Sequence, residues 1–174
     1  MDGSKEIVLG GGCFWCTEAC LVLVDGVLRA TAGYAGGATE NPTYEQVSSG
    51  RTGHAEVVEV EYDPSVVGLE EILDVFFASH DPTSLNRQGA DVGTQYRSIV
   101  LCADEEQRAV VESYIARLQR SYSRPVVTEV AELERFYPAE EHHQQYYARN
   151  PRQGYCRVVI APKVEKLRGR PGDP

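Results

Sequence analysis

The sequence predicts an α/β chain, an α+β two-layer sandwich with helices packed on a mixed β-sheet. Two observations carry this. Apolar runs with period-two alternation, clearest over residues 54–62, interleave with segments whose apolar residues recur every three to four positions, as in Leu69, Ile72, Leu73, Phe76 and Phe77. The segments begin strand, helix, strand and continue with further strands and helices, with no repeat or low-complexity tract between them.

In chain order, Glu6-Ile7-Val8-Leu9 is a short buried strand, and Gly10-Gly11-Gly12 turns it into a helix beginning near Cys13. Val27 to Gly33 is a second strand. Residues 36–53 form a long polar loop in which Asn41-Pro42-Thr43-Tyr44 marks a turn before a short helix. His54 to Tyr62 is the strand with two distinct faces. His54, Glu56, Val58, Val60 and Tyr62 share the apolar one, while Glu59, Glu61 and Asp63 make the later half of the other face wet. Leu69 to His80 is an amphipathic helix ended before Asp81-Pro82. A second polar loop, 81–95, leads to a strand from Tyr96 to Cys102. Asp104 with Gln107 starts the next helix, which buries Val110, Val111, Tyr114, Ile115 and Leu118. Val126 to Leu133 reads as a strand, Ala139 to Arg149 as a helix and Gly154 to Ala161 as a final strand.

The 174 residues suit a single domain over 1–174, with a core over about 5–161 and a basic, Pro- and Gly-rich tail over 162–174 that drapes on the surface or is mobile. A formal charge of −9, with acidic residues spread along the chain, argues against nucleic acid as a partner. The polar start Met1-Asp2-Gly3-Ser4-Lys5 is no secretory leader and no run spans a bilayer, so a cytoplasmic chain without membrane contact is expected. Nothing demands more than a monomer. Five cysteines, Cys13, Cys16, Cys20, Cys102 and Cys156, are an odd number that a stapled secreted scaffold would avoid, which leaves packing, metal binding or redox chemistry.

Cys13 occupies the strand-to-helix seam, where unpaired backbone N–H groups favour an anion, so it is expected to ionise below the usual thiol value and act as a nucleophile. The bland reading, a small buried hydrophobe, gives way because the glycines and the bulky Phe14 and Trp15 flank it. A phosphate loop does not fit: no Gly-Lys-Ser/Thr follows, and the glycines lack dinucleotide spacing. Glu56, on an apolar face, is a desolvated carboxyl able to hold a proton near neutral pH, or a residue at the strand's frayed start that reaches water, or a member of a structural ion pair.

Five ordered motifs then become recognisable: Gly-Gly-Cys13-Phe14-Trp15, Gly33-Tyr34-Ala35-Gly36-Gly37, Asn41-Pro42-Thr43-Tyr44, Gly53-His54-Ala55-Glu56, and His80-Asp81-Pro82-Thr83 continuing through residues 86–98. From about Glu6 to Cys156 the chain closely resembles the A-type peptide methionine sulfoxide reductases. The resemblance implies a ferredoxin-like plait core and reduction of the S epimer of methionine sulfoxide, free or in proteins; no cofactor is expected, and no metal, since paired ligand spacings are missing. It implies that Cys13 attacks the sulfoxide sulfur to leave a sulfenic acid, that Glu56 protonates the oxygen, and that Tyr44 and Tyr96 hydrogen-bond it. It likewise makes Phe14 and Trp15 the wall for the S-methyl group and Asp91 an organiser of the pocket. The sulfenic acid is then resolved by a second thiol and recycled by thioredoxin.

Here the chain departs from the commoner pattern, carrying both Cys16, where many relatives have glycine, and Gly154-Tyr155-Cys156. Cys156 is the favoured resolving thiol, on the expectation that it arrives on a flexible segment after Pro151, whereas a rigid first helical turn would strain a bond to Cys16. Cys20 and Cys102 read as packing residues. Glu140-Glu141-His142-His143 beside the early cysteines lacks paired zinc-ligand spacing, and His143 reads as a polar contact at the site's rim. The alternatives are a general thiol–disulfide oxidoreductase built on Cys13 and Cys16, a zinc adaptor, and a hydrolase pairing Cys13 with His54 or His143.

Overall fold

A computed structural model describes residues 3–168. In chain order its elements are β1 (Lys5–Gly10), α1 (Phe14–Leu21), β2 (Val27–Ala35), α2 (Tyr44–Ser48), β3 (Ala55–Tyr62), α3 (Leu69–Ala78), β4 (Arg87–Gln88), β5 (Asp91–Val92), β6 (Ile99–Cys102), α4 (Glu105–Leu118), β7 (Glu129–Glu132), β8 (Phe136–Pro138), α5 (Tyr146–Arg149) and α6 (Ala161–Arg168). Six strands form one sheet in the order β7-β6-β1-β3-β2-β8, and β4 with β5 makes a separate hairpin. Every pairing in the large sheet is antiparallel except β6 with β7. The β1-α1-β2-β3-α3-β6 run, with β6-β1-β3-β2 as its spatial order, is a ferredoxin-like plait.

β3 is central because its branched residues are buried on both faces. Ile7, Leu9, Ala32, Tyr34, Val58 and Val60 turn to the side that carries Phe14, Ile72 and Phe76. Val8, Ala35, Ala55, Val57, Ile99 and Leu101 form a smaller cluster on the other side, under Ala131, Leu133 and Phe136. Each large apolar side chain buried this way contributes about 1.5–3 kcal/mol. Glu56, in register opposite Tyr34, lies on the face shared with Val58 and Val60, as the alternation predicts. The helix starts also follow local chemistry. Asp104 accepts from the Gln107 N–H at 2.8 Å to open α4, and Thr43 with Gln46 forms a reciprocal capping box that opens α2 at Tyr44.

Four expectations need correction. The strand read over Gly154 to Ala161 is helical: a π-helical turn, Cys156–Ile160, runs straight into α6. The β-branched residues there look strand-like, but Cys156, Ile160, Val164 and Leu167 recur at helical spacing and bury against Cys16, Ala19 and Cys20 of α1. Residues 163–168 are therefore a docked helix rather than a draped or mobile tail, and 169–174 lie outside the described residues. The helix read over Ala139 to Arg149 breaks into a 3-10 turn, Glu141–His143, and α5, with Gln145 at φ +51° between them. The Gln144 amide causes the break, accepting from the Ala32 N–H and donating to the Ala32 carbonyl, both at 2.9 Å. Finally, Tyr96 is not a strand residue. It closes a 3-10 turn, Thr94–Tyr96, and its carbonyl accepts from the Gly12 N–H at 3.1 Å.

Candidate active site

The site is built on the glycine turn. A Cβ on Gly11 would lie 2.6 Å from the His80 ring, and Gly12 has φ +85°. His80 is fixed in turn. Its Nδ1 donates to the Phe76 carbonyl at 2.8 Å and its Nε2 meets Ser98 Oγ at 2.8 Å. Burial lowers its pKa to about 4, so the ring is a neutral wedge that sets the turn.

Cys13 is the residue just before α1, with extended backbone (φ −66°, ψ 132°) and no capping bond from its side chain. The Phe14 N–H donates to Glu56 Oε1 at 3.1 Å, so the positive end of the helix is shared, the carboxyl taking the Phe14 N–H and the thiol only the Trp15 N–H. This overturns the expected acidification of Cys13. Burial and then Glu56 push its thiol well above the ordinary range, against a smaller lowering by the Trp15 N–H. Cys16, not Cys13, is the acidified thiol: Cys20 hydrogen-bonds it and Lys163 attracts it, lowering it below the ordinary thiol range despite burial and Asp91.

Burial pushes the Glu56 carboxyl up to about 8 against the lowering effect of the Phe14 N–H; Asp91 raises it further and a hydrogen bond with Cys13 lowers it. Among the described residues Glu56 enters none of the ion pairs, so the structural-pair reading fails. Its Oε2 is buried without a partner. Tyr44 and Tyr96 are half-buried, and both hydroxyls are raised, first by burial and next by the charge of Glu56. Cys13, Glu56, Tyr44 and Tyr96 thus converge from four separate segments of the chain.

An aromatic wall stands beside them. Trp15 lies flat against Tyr146, ring centroids 3.7 Å apart, and donates its indole N–H to His143 Nδ1 at 3.1 Å. His143 makes a polar contact beside the site as the sequence indicates, but it is buried and only half satisfied, its Nε2 having no partner. Tyr44 packs on His143 at 4.4 Å, and Phe14 is fully buried behind, against Tyr34 and His143. Phe14 therefore backs the wall while half-buried Trp15 presents it. Asp91 accepts from the Tyr155 hydroxyl at 2.6 Å and feels Glu56 and Cys13, so it belongs to the same cluster.

Several contributors escaped sequence reasoning. Glu140 accepts from the Tyr34 hydroxyl and from the Tyr44 N–H, both at 2.9 Å, and so pins the start of α2. Buried Glu18, whose Oε2 has no partner, faces the backbone N–H groups of Gln145 and Tyr146, which offset part of its burial and set it beneath the residue that stacks on Trp15. Their only signal is acidic residues near the site motifs. His54 serves structure: its Nδ1 accepts from the Gly37 N–H at 3.0 Å and its Nε2 lies 2.6 Å from the Thr39 carbonyl, leaving no nitrogen for a hydrolase.

All five thiols are free. Cys102 lies in the main core, where burial pushes it up to about 11, in keeping with a packing role. Cys20 is more than packing, since it donates to Cys16. Cys16, Cys20 and Cys156 share one apolar cluster, and Cys156 is completely buried on the helix, not carried by a flexible strand. A groove of about 660 Å³ opens beside this cluster, with Gly12, Cys13, Cys16, Asp91, Tyr155 and Lys163 along it. Among the described residues no three His, Cys, Asp or Glu side chains are arranged to hold a metal, and no helix is long and apolar enough to cross a membrane.

Residues 5–171 match the sequence family described as peptide methionine sulfoxide reductase. The chain is 58% identical to the peptide methionine sulfoxide reductase MsrA of Haloquadratum walsbyi over 165 residues, 95% of each chain. Its fold matches reduced Mxr1 from Saccharomyces cerevisiae with a TM-score of 0.84 and 35% identity, covering 88% of this chain and 90% of that one. It also matches Mxr1 in complex with Trx2, with a TM-score of 0.60 and 27% identity over 83% and 85% of the two chains.

Proposed function

The chain belongs to the peptide methionine sulfoxide reductase family, and on that premise we propose that Cys13, Glu56, Tyr44 and Tyr96 carry out its thiol-dependent reduction of methionine sulfoxide. The observation that carries this reading is the buried Glu56 carboxyl beside Cys13, held at Oε1 by the Phe14 N–H with Oε2 left without a partner, a burial that favours its protonated form. The sulfoxide oxygen meets Glu56 Oε2 and the two tyrosine hydroxyls, and the S-methyl group rests on Trp15. As Cys13 Sγ attacks the sulfoxide sulfur, Glu56 gives its proton to the oxygen and takes up the thiol proton. The tyrosines supply neutral donors where charge develops. The oxygen leaves as the Cys13 sulfenic acid, and the product is the thioether.

This arrangement answers how a high-pKa thiol can serve as the nucleophile. The carboxyl accepts its proton in the same step that gives one away, so no free thiolate is needed beforehand. Fixing oxygen, methyl and sulfur at three points distinguishes the two epimers; the S form is the substrate the resemblance implies.

The sulfenic acid condenses with a second thiol, and we assign the first condensation to Cys16. Cys13 lies outside the first turn, so the Cys-x-x-Cys spacing need not strain a disulfide, and Cys16 lines the groove with Cys13 whereas Cys156 does not. Cys156, beside Cys16, is then the second acceptor, and thioredoxin returns the enzyme to its reduced form. Residues 1–174 act as one catalytic domain and a monomer. Five free thiols suit the cytoplasm.

The test is turnover of methionine sulfoxide with dithiothreitol. Loss of activity in Cys13→Ser and in Glu56→Gln supports the assignment. Wild-type turnover in either, or reduction of unrelated disulfides at a rate indifferent to Glu56→Gln, returns the chain to a general thiol–disulfide oxidoreductase.

A further inference from the structure

Sulfoxide reduction as described leaves α6 without a task, yet α6 is docked on the cysteine cluster. Val164 and Leu167 bury against Cys16, Ala19 and Cys20, and this places half-buried Lys163 at the groove where Cys13 and Cys16 surface. The Lys163 ammonium hydrogen-bonds the Cys16 sulfur, and Cys20, one turn further along α1, donates to it as well. No carboxylate pairs with Lys163 among the described ion pairs. Its neighbour His80 is neutral.

We propose that Lys163 is a positioning residue for disulfide formation, its ammonium holding Cys16 as the thiolate that attacks the Cys13 sulfenic acid. The proposal rests on the reductase reading above. In this step the Cys16 thiolate forms a bond to Cys13 Sγ and the sulfenic S–O bond breaks. The oxygen leaves as water after taking up a proton, which protonated Glu56 supplies and solvent restores. Sulfur is oxidised at Cys16 and reduced at Cys13, so no outside oxidant enters.

The ionisable groups around Cys16 show why a cation is needed there. Cys13 just before α1 and Cys20 on it flank Cys16, Asp91 and Tyr155 face it from the hairpin and the chain before α6, and Cys156 packs in the same cluster. Burial and Asp91 both oppose a thiolate, and Lys163 is the cation that offsets them. Without it Cys16 keeps only the Cys20 hydrogen bond against burial and Asp91, and the thiolate is less favoured. At pH 7 the loss of thiolate, partly compensated by the greater nucleophilicity of a more basic sulfur, amounts to roughly a fivefold to tenfold slower step.

The experiment is a single turnover of the full chain with one equivalent of methionine sulfoxide and no reductant, quenched in acid. Methionine is counted, and the Cys13–Cys16 disulfide is followed by peptide mapping and by fluorescence of Trp15, the chain's single tryptophan. In Lys163→Met, methionine forms at the wild-type rate. The disulfide follows roughly fivefold to tenfold more slowly at pH 7, with the midpoint of its rate–pH profile moved up by about one unit or more. Lys163→Arg restores both the rate and the midpoint. Lys163→Gln replaces Lys163→Met should the latter misfold.

An unmoved midpoint in Lys163→Met overturns the proposal, as does a Lys163→Arg variant that behaves like Lys163→Met. A disulfide that joins Cys13 directly to Cys156 overturns it too. Absence of methionine in the wild-type turnover would instead overturn the reductase reading.

Discussion

The Phe14 N–H donates to Glu56 Oε1 at 3.1 Å, joining the first turn of α1 to the central strand and aligning a carboxyl with the residue beside the nucleophile. The contact divides the labour at the helix start. The Phe14 N–H orients the carboxyl and partly offsets the burial that keeps it protonated, while burial and Glu56 keep the thiol protonated against the Trp15 N–H.

Glu56→Gln should keep the fold, because a glutamine oxygen still accepts from Phe14, and should lose the proton donor. We expect kcat with dithiothreitol to fall by about 10²–10⁴-fold, the usual contribution of a positioned acid, with little change in the unfolding midpoint at pH 6. Activity within threefold of wild type would exclude Glu56 as the acid.

The pH dependence has a definite sign. The folded-state pKa of Glu56 is raised to about 8 from the ordinary 4.5, so the proton-bearing form persists at neutral pH and activity should decline as pH rises through about 8. By linkage, the stability tied to that proton is fully present below about 4.5 and disappears as pH climbs through 8. Glu18, raised by burial to about 7, acts in the same direction. Urea midpoints from pH 5 to 9 should therefore fall for the wild type and fall less steeply for Glu56→Gln.

Two serine variants separate the resolving thiols. After one equivalent of substrate, Cys156→Ser should still yield a Cys13–Cys16 disulfide, whereas Cys16→Ser should accumulate a sulfenic acid that dimedone traps. Peptide mapping showing the reverse would assign the first condensation to Cys156.

Gly11→Ala places a methyl group 2.6 Å from a ring held on both sides by hydrogen bonds. The expected cost is about 1–3 kcal/mol in urea unfolding, from forcing His80 or the turn to move. An unchanged midpoint would mean that the His80 wedge yields freely.

What the sequence by itself determined is the local chemistry. Period-two alternation put Glu56 on the apolar face of its strand, Asp104 with Gln107 opened α4 as local hydrogen bonding requires, and the glycine turn delivered Cys13 to the start of a helix. These follow from short-range geometry. Tertiary structure decided which group the helix start would serve, because the Phe14 N–H found a partner 42 positions away, and a propensity argument about Cys13 could not see it. It also turned Tyr155 to Ile160 from an apparent strand into a helix, since the residues that select helix, Val164 and Leu167, lie beyond that run and act only by packing on Cys16 and Cys20. Burial and the Glu56 charge, absent from any local window, made Cys13 the basic thiol, whereas Cys16 is acidified first by Cys20, one turn along its own helix, and then by the distant Lys163.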